Sequence, residues 1–111
     1  DRVWHGRWQW EETRYIRRGG ETVETPKEKG VNMEIELHSD NRISIYHNSK
    51  LQKALQYKVD KREEELFISI QGDRTDLDPY VETGILRCQG DLLEIIGGYN
   101  DAGGNQRYKR M

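Results

Sequence analysis

The sequence predicts an all-β domain: an antiparallel up-and-down sheet of about eight short strands closed into a barrel. Three observations predict it. Apolar residues recur at every second position in run after run, the period of a strand. Short polar turn clusters separate those runs, which makes neighbours antiparallel, because parallel pairing needs a long crossover. The only two prolines, Pro26 and Pro79, fall in the two longer connections, where no ladder needs an amide donor. A β-sandwich, two stacked sheets, is the alternative closure of the same strands.

The elements follow in order. Trp8 and Trp10 share a face in a first strand from Gly6 to about Ile16. A connection from about Arg17 to Gly30 leads to the clearest alternation, in which Val31, Met33, Ile35 and Leu37 alternate with Asn32, Glu34, Glu36 and His38. After the turn at His38-Ser39-Asp40-Asn41, Ile43 and Ile45 alternate with Arg42, Ser44 and Tyr46. Asn48-Ser49-Lys50 turns the chain into Leu55, Tyr57 and Val59, and Asp60 to Glu63 turns it again into Leu66, Ile68 and Ile70. Weaker strands run over about Tyr80–Cys88, Leu92–Tyr99 and Gln106–Arg110. One local conflict stands: Leu51, Ala54 and Leu55 have helical spacing behind a capping Ser49, so a short helix over 49–57 competes with the strand.

The 111 residues make one domain, 1–111. Hydrophobic residues are 33% and charged residues 34%, a polar balance, but 3 Trp, 6 Tyr and 1 Phe placed in regular runs argue for a packed core over disorder. The net charge is −2 with the signs interspersed. A nucleic-acid partner or a polybasic membrane anchor needs a basic stripe, so both are disfavoured. Cys88 is the single cysteine, which leaves no internal disulfide. No apolar run approaches the ~20 residues of a transmembrane helix. The chain starts at Asp1 without Met, which reads as a mature or trimmed form whose leader or lipid anchor would lie upstream.

Gly6-Arg7-Trp8 opens the first strand, and the chain ends Arg107-Tyr108-Lys109-Arg110-Met111. This resembles the lipocalins, whose first strand opens Gly-x-Trp and whose last strand lays an arginine across that tryptophan. The whole chain is similar to the short lipocalin-like domains of bacterial lipoproteins of the Bacteroidetes type. Gly6 and Trp8, Pro26, Tyr57 with Val59, and Tyr108 with Arg110 stand at their places. The resemblance implies that Gly6, Trp8 and Arg110 form the seam that seals the closed end, with Arg107 as the alternative partner of the tryptophan. It also implies a small apolar or lipid-like ligand in the barrel mouth, no cofactor, and a periplasmic or outer-membrane-anchored setting. The chain is shorter than an ordinary lipocalin, lacks the family's C-terminal helix, and shows no other lipocalin motif.

The inward candidates for ligand contact are Trp10, Met33, Ile35, Ile45, Tyr57 and Ile68, with residues 18–30, carrying Gly19, Gly20 and Gly30, as a movable cover. The same six side chains equally fit a filled interior, since a small barrel needs its own side chains inside. Trp4 reads either as a plug or as an exposed contact. His5, His38 and His47 have no metal-ligand spacing, and His38 falls on a solvated parity. Asp73, Asp76 and Asp78 lack the ladder and turn glycine of a calcium loop. Cys88 reads as a small buried hydrophobe, Glu63-Glu64-Glu65 as a solvated turn, and Gly97-Gly98 and Gly103-Gly104 as no phosphate cradle. Tyr46 and Phe67 take the outward parity, either as an apolar patch for a protein partner or as ordinary cross-strand pairs. No catalytic constellation is visible. The expected function is therefore non-enzymatic binding of a small apolar molecule, and the alternative is an interaction or structural module with a packed interior.

Overall fold

The computed structural model describes residues 3–17, 19–71, 84–97 and 104–111, with the backbone alone at 16 and 17. The acidic loop at 73–78, Pro79, the first part of the strand expected at 80–88, and Gly98 and Gly103 lie outside the described residues.

Nine strands and one short helix follow the chain: β1 (Gly6–Arg17), β2 (Gly20–Glu24), α1 (Pro26–Lys29), β3 (Met33–Leu37), β4 (Arg42–His47), β5 (Lys50–Arg62), β6 (Glu65–Gln71), β7 (Gly84–Gln89), β8 (Leu92–Ile96) and β9 (Asn105–Arg110). They make one antiparallel sheet, and β1 pairs with β9 to close it. β9 takes one edge of β1 from Trp8 to Arg14. The other edge is shared: β3 takes Gly6–Gln9 and β2 takes Thr13–Arg17. The result is a closed eight-stranded up-and-down barrel with β2 as an added strand, and the sandwich alternative does not hold.

That added strand corrects the expected loop between Arg17 and Gly30. The glycines Gly19 and Gly20 turn β1 back on itself, and five residues of β2 are extended and paired to it. The chain then needs to shift onto the stave of β3, and α1 makes the step. Thr25 caps the helix by accepting from the Glu28 amide at 3.3 Å, Pro26 opens it, and Gly30 ends it.

The conflict over 49–57 resolves to strand. Asn48 and Ser49 both take positive φ, +52° and +69°, the two-residue hairpin geometry that matches strand twist. A capping serine must be extended, so Ser49 cannot start a helix from that conformation. A bulge between Ile45 and Tyr46 then sets Tyr46 against Leu51, which leaves Leu51 exposed, while Tyr57 points inward.

The core runs round the barrel through registered pairs. Ile35 stands beside Trp8 and Ile45, Leu37 beside Ile43, Val59 beside Ile68, Leu86 beside Ile95, and Leu93 beside Tyr108. A bulge at Glu11 makes Trp10 and Thr13 both inward, where strict alternation from Trp8 would turn Thr13 out. The outer wall is charged. Two of its aromatics among the described residues, Tyr46 and Phe67, make no bare patch: Arg7 lies 4.1 Å over the first ring and Arg62 lies 4.5 Å over the second.

Candidate functional site

Six residues on five strands were expected to aim at a common centre, and all six do so. Trp10 comes from β1, Met33 and Ile35 from β3, Ile45 from β4, Tyr57 from β5 and Ile68 from β6. All six belong to one contiguous cluster. Trp10, Met33, Ile35, Ile45 and Ile68 are 0% exposed and Tyr57 is 3% exposed. Those values decide the state of the interior there. A void able to hold a water-sized sphere leaves accessible area on the side chains that line it, and all of these but Tyr57 have none. The six residues meet as close-packed core.

The interior also holds a polar chain that alternation alone did not reveal. The Trp10 Nε1–H donates to Thr13 Oγ1 at 2.9 Å, and the Thr13 hydroxyl donates to Gln106 Oε1. Thr13 and Gln106 are paired across β1 and β9 and are 0% and 1% exposed. The Gln106 Nε2 amide has no partner. The inward parity of Gln106 was readable from the alternation of Gln106 and Tyr108. Thr13 was not, because the bulge that turns it inward leaves no mark in the residue types.

At the opposite end, the residues expected as the seam are brought together. Trp8 and Arg110 are registered partners, and the guanidinium lies 4.2 Å over the indole. The indole N–H donates to the Trp4 carbonyl at 2.9 Å. Arg110 donates to the carbonyls of Val3 at 2.7 Å and His5 at 3.1 Å. One side chain thus ties the last strand to the segment entering the first, and the planar fork is what permits stacking and two donations at once. Gly6 adopts φ +128°, and a Cβ there would stand 3.0 Å from Arg110 Nη1, so glycine is needed for both conformation and room. Arg107, the alternative, points outward and faces Glu12 at 3.5 Å. Trp4 is 8% exposed and packs into the core, the plug of the two readings.

The titratable groups divide between turns and the wall. Desolvation pushes Asp40 up, but the hydrogen bonds and charge of Arg42 pull it further down, below the usual carboxylate range. Arg7 reaches Glu34 through Nε at 2.8 Å and Nη2 at 2.7 Å, which accounts for a carboxylate only 7% exposed on the outer parity. His38 corrects an expectation. It is half-buried, its Nε2 is 2.9 Å from Ser44 Oγ and its Nδ1 is 3.7 Å from Glu36 Oε2, so it is partnered where free solvation was expected. Among the described residues no group of His, Cys, Asp and Glu is arranged to hold a metal ion. No helix among them is long and apolar enough to cross a membrane.

Cys88 is half-buried beside the closed end, with Sγ 3.6 Å from the Val3 carbonyl. Burial pushes its thiol above the ordinary range, against the pull of Arg110. A thiol held protonated is a poor nucleophile. Iodoacetamide is expected to modify Cys88 several times more slowly in the folded chain than in urea at the same pH. Equal rates in the two states would contradict this environment.

A concavity of about 560 Å³ lies beside β6, β7 and β8, lined by Leu66, Ile85 and Leu92 together with Glu64, Glu65 and Glu94, and Arg87 bridges to Glu65 at 3.2 Å.

No family model, curated protein or solved structure matches this chain.

Proposed function

We infer that this chain is a lipocalin-like binding module that works as a rigid scaffold, meeting a protein partner through its outer surface with its interior filled by its own side chains. The observation that carries this reading is the complete burial of Trp10, Met33, Ile35, Ile45 and Ile68, the residues that would line an internal cavity. An apolar guest of even a few carbons needs space these side chains already occupy, and opening it would forfeit close-packed contacts worth about 20 cal/mol per Å² of surface created. The concavity beside β6, β7 and β8 offers a partner a surface that sets Leu66, Ile85 and Leu92 among the charges of Glu64, Glu65, Arg87 and Glu94.

The second reading keeps a small apolar or lipid-like molecule inside. One observation favours it: the unpaired Gln106 Nε2 is a buried donor that a guest carbonyl or carboxylate would satisfy. Titration with a lipid-like probe, read by tryptophan fluorescence, separates the two. For the scaffold reading the wild-type chain gives no saturable change. Trp10→Ala, which empties the volume of an indole, gains binding of a small apolar molecule such as benzene. Saturable quenching in the wild type that is lost in Trp10→Ala would establish the internal carrier instead.

The resemblance to bacterial lipocalin-like lipoproteins further supports a periplasmic or outer-membrane-anchored location. Fractionation of cells expressing the full precursor tests it, and recovery in the cytoplasm would reject it.

A further inference from the structure

We propose that Ser44, His38 and Glu36 form a nucleophile–base–carboxylate array on the outer wall, in which Ser44 accepts an acyl group from small activated esters. The array stands apart from the scaffold reading, since it lies on the outer face and uses none of the core or concavity residues.

Strand register builds it. Glu36 and His38 are two residues apart at the end of β3, so their side chains leave the sheet on the same side. Ser44 on β4 is the registered partner of Glu36, also on that side. The tight turn between the strands, closed by the His38 amide donating to the Arg42 carbonyl at 2.9 Å, brings the imidazole over the serine. His38 Nε2 then lies 2.9 Å from Ser44 Oγ, and Nδ1 lies 3.7 Å from Glu36 Oε2. The Tyr46 hydroxyl donates to the other Glu36 oxygen at 3.4 Å and steadies the carboxylate. With the proton of the neutral ring on Nδ1, facing Glu36, Nε2 is free to accept from the serine. The serine–imidazole contact is that by which a weak hydroxyl becomes a nucleophile, and Glu36, at 3.7 Å beyond hydrogen-bond length, acts through its charge on the imidazolium that forms.

Access to the serine is narrow, which restricts the array to small acyl groups: Ser44 is 9% exposed, the His38 and Glu36 side chains are 28% and 32% exposed, and the residue opposite Ser44 on β5 is the small Ala54. The step balances without another reagent. Ser44 Oγ bonds to the ester carbonyl carbon as its proton passes to His38 Nε2. The ester C–O bond breaks and His38 returns the proton to the departing alkoxide, giving acyl-Ser44 and an alcohol. Water repeats the sequence to release the acid.

The surroundings also set the expected rate. β4 is flanked by β3 and β5, and Ser44 is paired on both sides, so its amide belongs to the ladder and cannot cradle an oxyanion. Arg42, two residues along the same face, is held by Asp40 at 2.7 Å. A preorganised oxyanion donor is worth about 10²–10³ in rate. Without one, both acylation and deacylation are slow, so the array takes only activated acyl groups and the acyl-Ser44 persists.

The test uses the purified chain with p-nitrophenyl acetate and, separately, a fluorophosphonate probe. Nitrophenolate release, intact mass and peptide mapping are the readouts. The expected result is a burst of about one equivalent with the adduct mapped to Ser44. Ser44→Ala abolishes that adduct. His38→Gln slows its formation at least about 100-fold and Glu36→Gln about 10-fold, while the neighbouring Ser39→Ala labels at the wild-type rate. Unchanged melting temperatures in the variants show that reactivity, not folding, was lost. No adduct on Ser44 in the folded wild type, or equal Ser44 labelling in His38→Gln, overturns the proposal.

Discussion

Trp8→Ala is expected to cost about 3–5 kcal/mol of folding stability, the range for emptying a large aromatic from a packed core. The side chain is 0% exposed, so the whole indole volume becomes a void unless the barrel end collapses. Collapse is hindered because the residues around it are fixed from two directions. Ile35 holds one flank through the β3 ladder and Arg110 holds the other through β9. The loss is also more than volume. Arg110 loses the ring it stacks on, and the Trp4 carbonyl loses its donor from the indole. The measurement is urea denaturation followed by circular dichroism, and the expected signature is a lower midpoint at unchanged slope. Arg110→Lys is the companion. A lysine keeps the charge but cannot stack flat and donate to the Val3 and His5 carbonyls together, so a smaller loss of about 1–2 kcal/mol is expected. A loss below about 1 kcal/mol for Trp8→Ala would mean that the seam does not hold the barrel shut.

The barrel was legible because its strands are. From Met33 to Leu37 and from Leu66 to Ile70 the inward residues are apolar and most of the outward ones polar, and one pattern fixes both strand and facing. The seam was legible for another reason: Gly6-x-Trp8 at one chain end and Arg110 at the other resemble the lipocalin pattern, and the resemblance implied their pairing. What stayed hidden depends on single residues that change register. The Glu11 bulge turns Thr13 inward, and no residue type announces it, so the Trp10–Thr13–Gln106 chain was invisible. β2 was read as loop because Gly20–Glu24 alternates weakly: its residues are exposed or half-buried on both parities, and the pairing to β1 carries it. His38 and Ser44 were each readable as outward polar residues. Their proximity rests on the turn register, since a slip of one residue would have put Ser44 on the opposite face. The six candidate ligand residues were correctly placed inside, yet the same facing serves a cavity or a filled core. Only the packed side-chain volumes distinguish the two, and those are a property of the fold.

Gly84→Ala isolates a constraint of the backbone. Gly84 opens β7 beside Ile68 of β6, and a Cβ there would stand 2.3 Å from the Ile96 carbonyl oxygen, 2.7 Å from its carbon and 3.0 Å from Gly97 Cα. These are main-chain atoms at the end of β8, and no rotamer change relieves them. β7 and β8 must move apart there, at the end of the ladder that joins them from Ile85–Ile96 to Gln89–Leu92. An overpacked interior site costs about 1–3 kcal/mol, and with backbone as the obstacle the top of that range is expected, near 3 kcal/mol. Gly104→Ala supplies the contrast. Its Cβ would meet the Tyr15 ring at 2.8 Å and the Thr13 methyl at 3.0 Å, both side-chain atoms, and the half-buried tyrosine can give by the few tenths of an ångström needed. That variant is expected to lose about 1 kcal/mol or less. The pair is read by denaturation midpoints and by amide exchange of β7 and β8, whose protection should fall in Gly84→Ala alone. If the two glycines tolerate alanine equally, then β7 and β8 have slack at that crossing, and the barrel wall there is softer than its close approach implies.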